Sequence, residues 1–304
     1  MSALHVLMPP LAHVDEHPAF HHWLARGDRL PDVQGRRVAA LRGLFHFAGE
    51  GIPAAALRHY CHAGDAGDAT WLCADPAYVR SEATGARLMA CPANDISGAE
   101  AEAIAATLSP FLSEMGVLRV DTPSEWCVQL ASGTQPATFT DAEDALGASL
   151  IDVLPGGSPG RMWRRLFNEV QVVLHAHPVN VARVAARKLP VNALWFWGAG
   201  ALPDAVDTSL AMVASTDDVV RGLAKVAGAV RVEPLPDALE TVDAHGDALL
   251  DLQPLGDRES AAEWLAVFER WLRRHRFDAI ALTFAGGERY RMRHAHRLRF
   301  WRRG

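Results

Sequence analysis

Fourteen histidines are spread over 304 residues, and most of the chemistry open to the chain starts from them. His13, His17, His21 and His22 have spacings that suit one helical face, but Pro18 interrupts the series and only Asp15 and Glu16 stand nearby as carboxylates. A metal site needs a convergent set of imidazole, thiolate or carboxylate donors, so this stretch reads as a solvated N-terminal segment. His59 and His62, flanking Cys61, have the i, i+3 spacing of ligands on a helix, yet no second pair elsewhere completes them. Gly198-Ala199-Gly200 follows an apolar strand as a dinucleotide loop would. The third glycine is missing, Pro203 follows, and no ribose-binding acid closes a next strand, so a tight strand exit is the better reading. Neither a G-x-S-x-G elbow nor a phosphate-cradling Walker loop occurs.

The most unusual stretch runs from Glu169 to Asn180 (Glu-Val-Gln-Val-Val-Leu-His-Ala-His-Pro-Val-Asn) and is followed by Arg183 and Asn192. On the helix before Pro178, Trp163, Phe167, Val170 and Leu174 form an apolar face, while Arg164, Asn168, Gln171 and His175 line up on a separate stripe. With His177, Asn180, Arg183 and Asn192, this stripe supplies the candidate ligand-binding residues, because donors and acceptors of both kinds crowd one helix end. They could orient an anion or a sugar-like ligand. They could equally satisfy the last carbonyls of a buried helix, and that structural reading is favoured.

The elements around these residues are legible. His5 to Met8 is a first strand ended by Pro9-Pro10, and Phe20–Leu24 and Val38–Phe47 carry helix-period apolar positions. Trp71-Leu72-Cys73 is a strand running into Ala74-Asp75-Pro76, Ser97 and Glu100 form a capping box, and 117–120 and 126–130 pair as strands. Pro155 to Gly160 is a loop; Val191 to Trp197 is a continuous apolar strand of the kind that suits a parallel sheet. Thr216 or Asp217 caps the next helix, strands follow at 229–232, 249–252 and 277–284, and Trp264 to Leu272 is an amphipathic helix. Strand and helix alternate in the second half, so the chain is expected to be an α/β protein. The expected division is a core of 1–77 and 186–304 and an inserted α+β lobe of 78–185.

Composition excludes several classes. With 49% hydrophobic and 22% charged residues the chain is an ordinary globular protein, and no apolar run approaches a membrane helix. Met1 to Pro10 lacks a basic region ahead of its apolar stretch, which argues against a signal peptide. Cys61, Cys73, Cys91 and Cys127 form no C-x-x-C pair, so scattered free thiols suit a cytoplasmic setting. The net charge of -6 gives no global pull toward nucleic acid or anionic membrane. Only Lys188 and Lys225 are lysines, a bias that a GC-rich gene explains more cheaply than a planar-anion site.

His177-Pro178-Val179-Asn180, Arg183, and Val191-Asn192-Ala193-Leu194 leading to Gly198-Ala199-Gly200 resemble, in order, segments of archaeal-type cofactor-independent phosphoglycerate mutases. Arg221 to Gly228 is similar to a later helix of that family. The whole chain also resembles a shorter bacterial group related to the regulation-of-pathogenicity-factor E product, through Ala74-Asp75-Pro76, Glu169 to Asn180, and Leu194 to Gly200. The resemblance implies an alkaline-phosphatase-like core with a mostly parallel sheet flanked by helices and an inserted lobe. The family's enzymes hold two divalent metals and pass the phosphoryl group through a serine. This chain departs from that pattern. Its first strand ends Met8-Pro9-Pro10 instead of Asp-Gly, and Pro53-Ala54-Ala55 stands where the serine is expected. Asp251 to Glu259 holds no histidine, and Thr283 to Gly287 has no Asp-His pair.

The leading expectation is therefore a non-catalytic, cofactor-free and metal-free protein that binds a small anionic metabolite or a protein partner in a regulatory role. The runner-up is a metal-independent enzyme acting on a phosphorylated or anionic metabolite between lobe and core, with His175 or His177 as acid/base. Nucleic-acid binding is a weaker reading, and a metal-dependent phosphatase or mutase the last. The nucleic-acid reading rests on the arginines from Arg289 to Arg303, with Phe300 and Trp301 for stacking. In the same stretch Arg289, Arg291 and Arg293 alternate with Tyr290 and Met292 after Gly286-Gly287, which predicts a hairpin ending in an amphipathic edge strand.

Overall fold

The computed structural model describes residues 2–15, 17–33, 36–83, 85–93, 95–228, 230–235, 245–255, 260–299 and 301. Two compact units result: residues 1–49 with 203–304, and the inserted stretch 50–202. The first unit opens with β1 (Ala3–Met8), α1 (Leu11–Asp15), α2 (Pro18–Arg26), β2 (Asp28–Leu30) and α3 (Arg36–Arg42). The second holds α4 (Ala54–Ala63), β3 (Trp71–Glu82), β4 (Gly85–Ala90), α5 (Gly98–Leu112), β5 (Gly116–Val120), β6 (Trp126–Leu130), α6 (Ala142–Ala145), α7 (Leu150–Val153), α8 (Gly157–His175), α9 (Pro178–Ala185) and β7 (Ala193–Gly200). The chain then completes the first unit with β8 (Leu210–Ala214), α10 (Asp218–Ala227), β9 (Arg231–Glu233), β10 (Asp247–Asp251), α11 (Ser260–Arg273), β11 (Ala279–Phe284) and β12 (Arg289–Met292).

The first unit is a seven-stranded sheet in the order β2-β12-β11-β1-β10-β8-β9. β11, β1, β10, β8 and β9 run parallel, and β12 and β2 are antiparallel additions at one side. β1 is central because its apolar residues serve both faces, as parallel strands covered by helices require. Leu4, Val6 and Met8 join Trp23 of α2, Trp264 and Phe268 of α11, and Ile280 of β11 in one buried cluster. Asp217 caps α10, its side chain accepting from Val220 N at 2.9 Å.

The hairpin at Gly286-Gly287 forms, Gly287 with φ +99 and Phe284 N donating to Glu288 O at 2.9 Å. β12 alternates as expected, Met292 buried and Tyr290 packed on the core. It is not an edge strand, because β2 pairs along its outer side and takes the edge. The sequence offered no sign of this, since Asp28-Arg29-Leu30 is too short for a periodic pattern. Arg299 donates to Asp28 Oδ1 at 2.6 Å and to Arg26 O at 3.2 Å, so one cation of the basic stretch ties the chain end to its own unit. Phe300, Arg302 and Arg303, like Glu16 of the N-terminal histidine stretch, lie outside the described residues.

The second unit is a five-stranded sheet, β4-β3-β6-β5 with β7 along β3, antiparallel throughout. β7 thus corrects the expectation of a parallel strand. A continuous apolar run reports burial on both faces and carries no information on strand direction. One face packs on α5 and α8 through Leu72, Trp126, Val128 and Leu194 against Ile104, Leu108, Trp163 and Val170. The Ser97–Glu100 capping box opens α5 as read, the Ser97 and Glu100 side chains each meeting the other's backbone N–H. α8 starts at Gly157, inside the stretch read as a loop, since the first turn of a helix needs no internal donors. β3 and β7 pair from residue 71 to residue 200, which puts both strands wholly in this unit, so its limits fall at 50 and 202 and not at 78 and 185.

α4 lies against β3 and β7. At Gly198 (φ +61) a side chain would come within 2.7 Å of Ala54 Cβ, and at Gly200 within 2.6 Å of Pro53 Cβ. These two glycines admit the start of α4 against the strand, which is what Gly-Ala-Gly does here.

Candidate functional site

In open parallel sheets ligands bind beyond the carboxyl ends of the strands. In the first unit those ends are Met8, Ala214, Glu233, Asp251 and Phe284, and Glu233 pairs with Arg231 of its own strand at 3.1 Å. Asp251 is fully buried. Its Oδ2 accepts from Ser215 Oγ at 2.9 Å, its Oδ1 from Gln253 N at 3.2 Å, and Arg37 of α3 lies 3.7 Å away. Arg37 also pairs with Asp217 at 2.8 Å and donates to Gln253 Oε1. Burial pushes the Asp251 carboxyl up to about 6, only partly opposed by the Arg37 guanidinium. A carboxyl titrating near neutrality can exchange a proton, but each of its oxygens is already engaged. Among the described residues Asp251 belongs to no group of three metal-ligating side chains. Pro53 precedes α4, where Ala54 and Ala55 are buried, and residues 256–259 of the stretch after Asp251 lie outside the described residues.

The eight residues singled out in the sequence all fall in the second unit, in two groups. Asn168 and His175 are exposed on α8, Gln171 is half-buried beside them, and Arg164 donates to Pro155 O at the start of its own helix. The other four are engaged structurally. His177 caps α9 through Nδ1, accepting from Val179 N at 3.2 Å, and its Nε2 lies 3.0 Å from Thr107 Oγ1. Asn180 donates to Leu174 O and Val191 O at 2.8 and 2.7 Å and accepts from Val191 N at 2.8 Å. Arg183 donates to Leu189 O at 2.8 Å and pairs with Glu100 at 3.1 Å. Asn192 bridges Val79 N and O at 2.8 Å each. The H-P-V-N segment therefore stitches the ends of α8 and α9 to the sheet.

The other face of this sheet carries a polar group that the sequence reading did not assemble. Arg58 of α4 holds Asp75 of β3 through two bonds of 2.9 Å, and Asp75 also accepts from Trp126 N at 3.1 Å and Trp197 Nε1 at 2.8 Å. One residue on, His59 Nδ1 lies 2.8 Å from Asp121 Oδ1, and Cys127 Sγ lies 3.2 Å from Asp121 Oδ2 and 3.8 Å from the same His59 nitrogen. Burial, with the Asp121 carboxylate alongside, pushes the Cys127 thiol well above its ordinary range. The His59–His62 spacing was a visible signal. Its partners were not, because Asp121 and Cys127 reach α4 only through the β5–β6 hairpin.

No protein-family model matches the chain. A 2,3-bisphosphoglycerate-independent phosphoglycerate mutase of Methanosarcina barkeri is 30% identical over 131 residues, 41% of this chain and 31% of that protein. A probable enzyme of the same name from Geobacter sulfurreducens is 29% identical over 135 residues, 38% of this chain and 34% of that protein. The matched stretch thus spans about a third of the length of these curated relatives. Among solved structures, a cofactor-independent phosphoglycerate mutase from Thermoplasma acidophilum is 15% identical with TM-score 0.42, covering 96% of this chain and 90% of that one. Over about two fifths of its length, the chain is a distant sequence relative of cofactor-independent phosphoglycerate mutases.

Proposed function

We propose that the chain is a phosphoglycerate-mutase-like protein that has kept an alkaline-phosphatase-like core but does not transfer phosphoryl groups, and that it serves a binding or regulatory role toward a small anionic metabolite or a protein partner. Kinship with the bacterial group related to the regulation-of-pathogenicity-factor E product belongs to the same reading. One observation carries it: the strand ends where two-metal chemistry needs clustered carboxylates and imidazoles hold Met8, Ala214, Glu233, Asp251 and Phe284, with Glu233 paired to Arg231 and Asp251 engaged by Ser215 and Arg37. No hydroxyl stands at Pro53-Ala54-Ala55 to carry the phosphoryl group.

The test is turnover of 3-phosphoglycerate and of an aryl phosphate by the purified full chain with manganese. No turnover above buffer is expected. Metal-stimulated turnover that survives repeated purification and disappears in Asp251→Asn would overturn the reading.

A further inference from the structure

We propose that His59, Asp121 and Cys127 form a binding site for a thiophilic divalent cation, with zinc as the best match. The site lies wholly within the second unit, and its donors come from α4, the β5–β6 loop and β6. Tetrahedral zinc with its usual bond lengths spaces nitrogen and oxygen donors about 3.4 Å apart and sets sulfur about 3.6 Å from either. The Nδ1–Oδ1, Sγ–Oδ2 and Sγ–Nδ1 separations of 2.8, 3.2 and 3.8 Å, measured to the two oxygens of one carboxylate, lie within about 0.6 Å of those spacings.

A Cys–His–Asp catalytic triad is the competing arrangement, and the geometry disfavours it. A triad uses opposite ring nitrogens for nucleophile and carboxylate. Here Asp121 and Cys127 approach the same nitrogen, Nδ1, as ligands around one cation do.

The donors are held in place before any ion arrives. The His59 ring stacks on Trp71 at 4.0 Å between centroids and 26° between planes. Cys127 is fixed within β6 between β3 and β5, opposite Cys73 on one side and Arg119 on the other. Asp121 begins a tight hairpin loop in which its N–H and that of Thr122 both donate to Glu125 O, at 3.2 and 3.1 Å. The His59 and Asp121 side chains are 14% and 10% exposed, enough for entry but little water. An open cleft of about 380 Å³, lined by His59, Trp71, Arg119 and Gln129, reaches the His59 side of the site.

The charges also match. A neutral imidazole, a carboxylate and a thiolate sum to minus two, which neutralises a dication, and the sulfur and nitrogen donors disfavour magnesium and calcium. Without metal the thiol keeps its proton. On loading, the Cys127 S–H bond breaks, its proton leaves to buffer, and the sulfur lone pair forms the bond to metal. The His59 Nδ1 lone pair forms the second bond to metal, the ring carrying its one proton on Nε2 when bound.

The experiment titrates chelator-stripped full-length protein with cobalt(II), then zinc. Expected are a near-ultraviolet thiolate-to-cobalt band and visible tetrahedral bands saturating at one equivalent, and bleaching by zinc. Calorimetry of zinc binding in two buffers of different ionisation enthalpy should show one proton released per metal. Cys127→Ser should abolish the thiolate band, and Cys91→Ser should leave it unchanged. Should Cys127→Ser unfold, Asp121→Asn and His59→Gln replace it, each expected to weaken zinc at least about 10-fold, as losses of outer-sphere partners already do. The absence of a thiolate band at one equivalent, its persistence in Cys127→Ser, or unchanged affinity in both replacement variants overturns the proposal.

Discussion

Asp251→Asn isolates the cost of one buried carboxyl. Burial raises this group from 3.8 to about 6, so the folded chain holds a proton that the unfolded chain has already lost. Its contribution to stability is complete below the unfolded value, near 4, and is lost as pH rises through about 6. At about 1.36 kcal/mol per pH unit the loss is on the order of 3 kcal/mol. Asparagine keeps the shape and stays neutral throughout. Arg37 keeps Asp217 at 2.8 Å, which limits any constant penalty from the lost charge. The stability of the variant relative to the parent should therefore grow by about 3 kcal/mol between roughly pH 4 and pH 7. Urea unfolding of both proteins across that range, followed by tryptophan fluorescence, measures the difference directly. A pH-independent difference would refute the reasoning, as would a variant that loses ground as pH rises. The first would mean that the Arg37 interaction balances desolvation, the second that it outweighs it.

Asn180→Leu strands the Val191 C=O and N–H in the core, while Leu174 O keeps the His177 N–H, and should cost at least about 2 kcal/mol in urea unfolding. Arg58→Met leaves Asp75 charged and buried, a loss of about 3–5 kcal/mol, and Arg58→Met with Asp75→Leu should recover part of it in a double-mutant cycle. With Arg299 committed to Asp28, the arginine-rich end should show no nucleic-acid binding with steep salt dependence; a fluorescence titration at low and high salt decides it.

Sequence alone determined the features that depend on near neighbours. The capping box at Ser97, the apolar face of α8, the 117–120 and 126–130 strand pair and the Gly286-Gly287 hairpin were all legible, because each is written in spacings of two to four residues or in adjacent segments. The alternation of strand and helix likewise announced a mostly parallel α/β sheet. Contacts between distant segments were not legible. β7 reads as apolar whichever way its neighbour runs, so only the pairing with β3 revealed an antiparallel strand and moved the unit boundary. β2 is too short to carry a period, so only its place beside β12 showed which strand is the edge. Asn180 and Arg183 are a polar cluster in sequence, and whether they face a ligand or backbone carbonyls depends on where α9 packs; it packs where Leu174 and Val191 use Asn180 fully. His59 lay in view as one half of a ligand pair, and only the β5–β6 hairpin, folded against α4, brought Asp121 and Cys127 to the same ring nitrogen, because convergence in space has no periodicity along a chain.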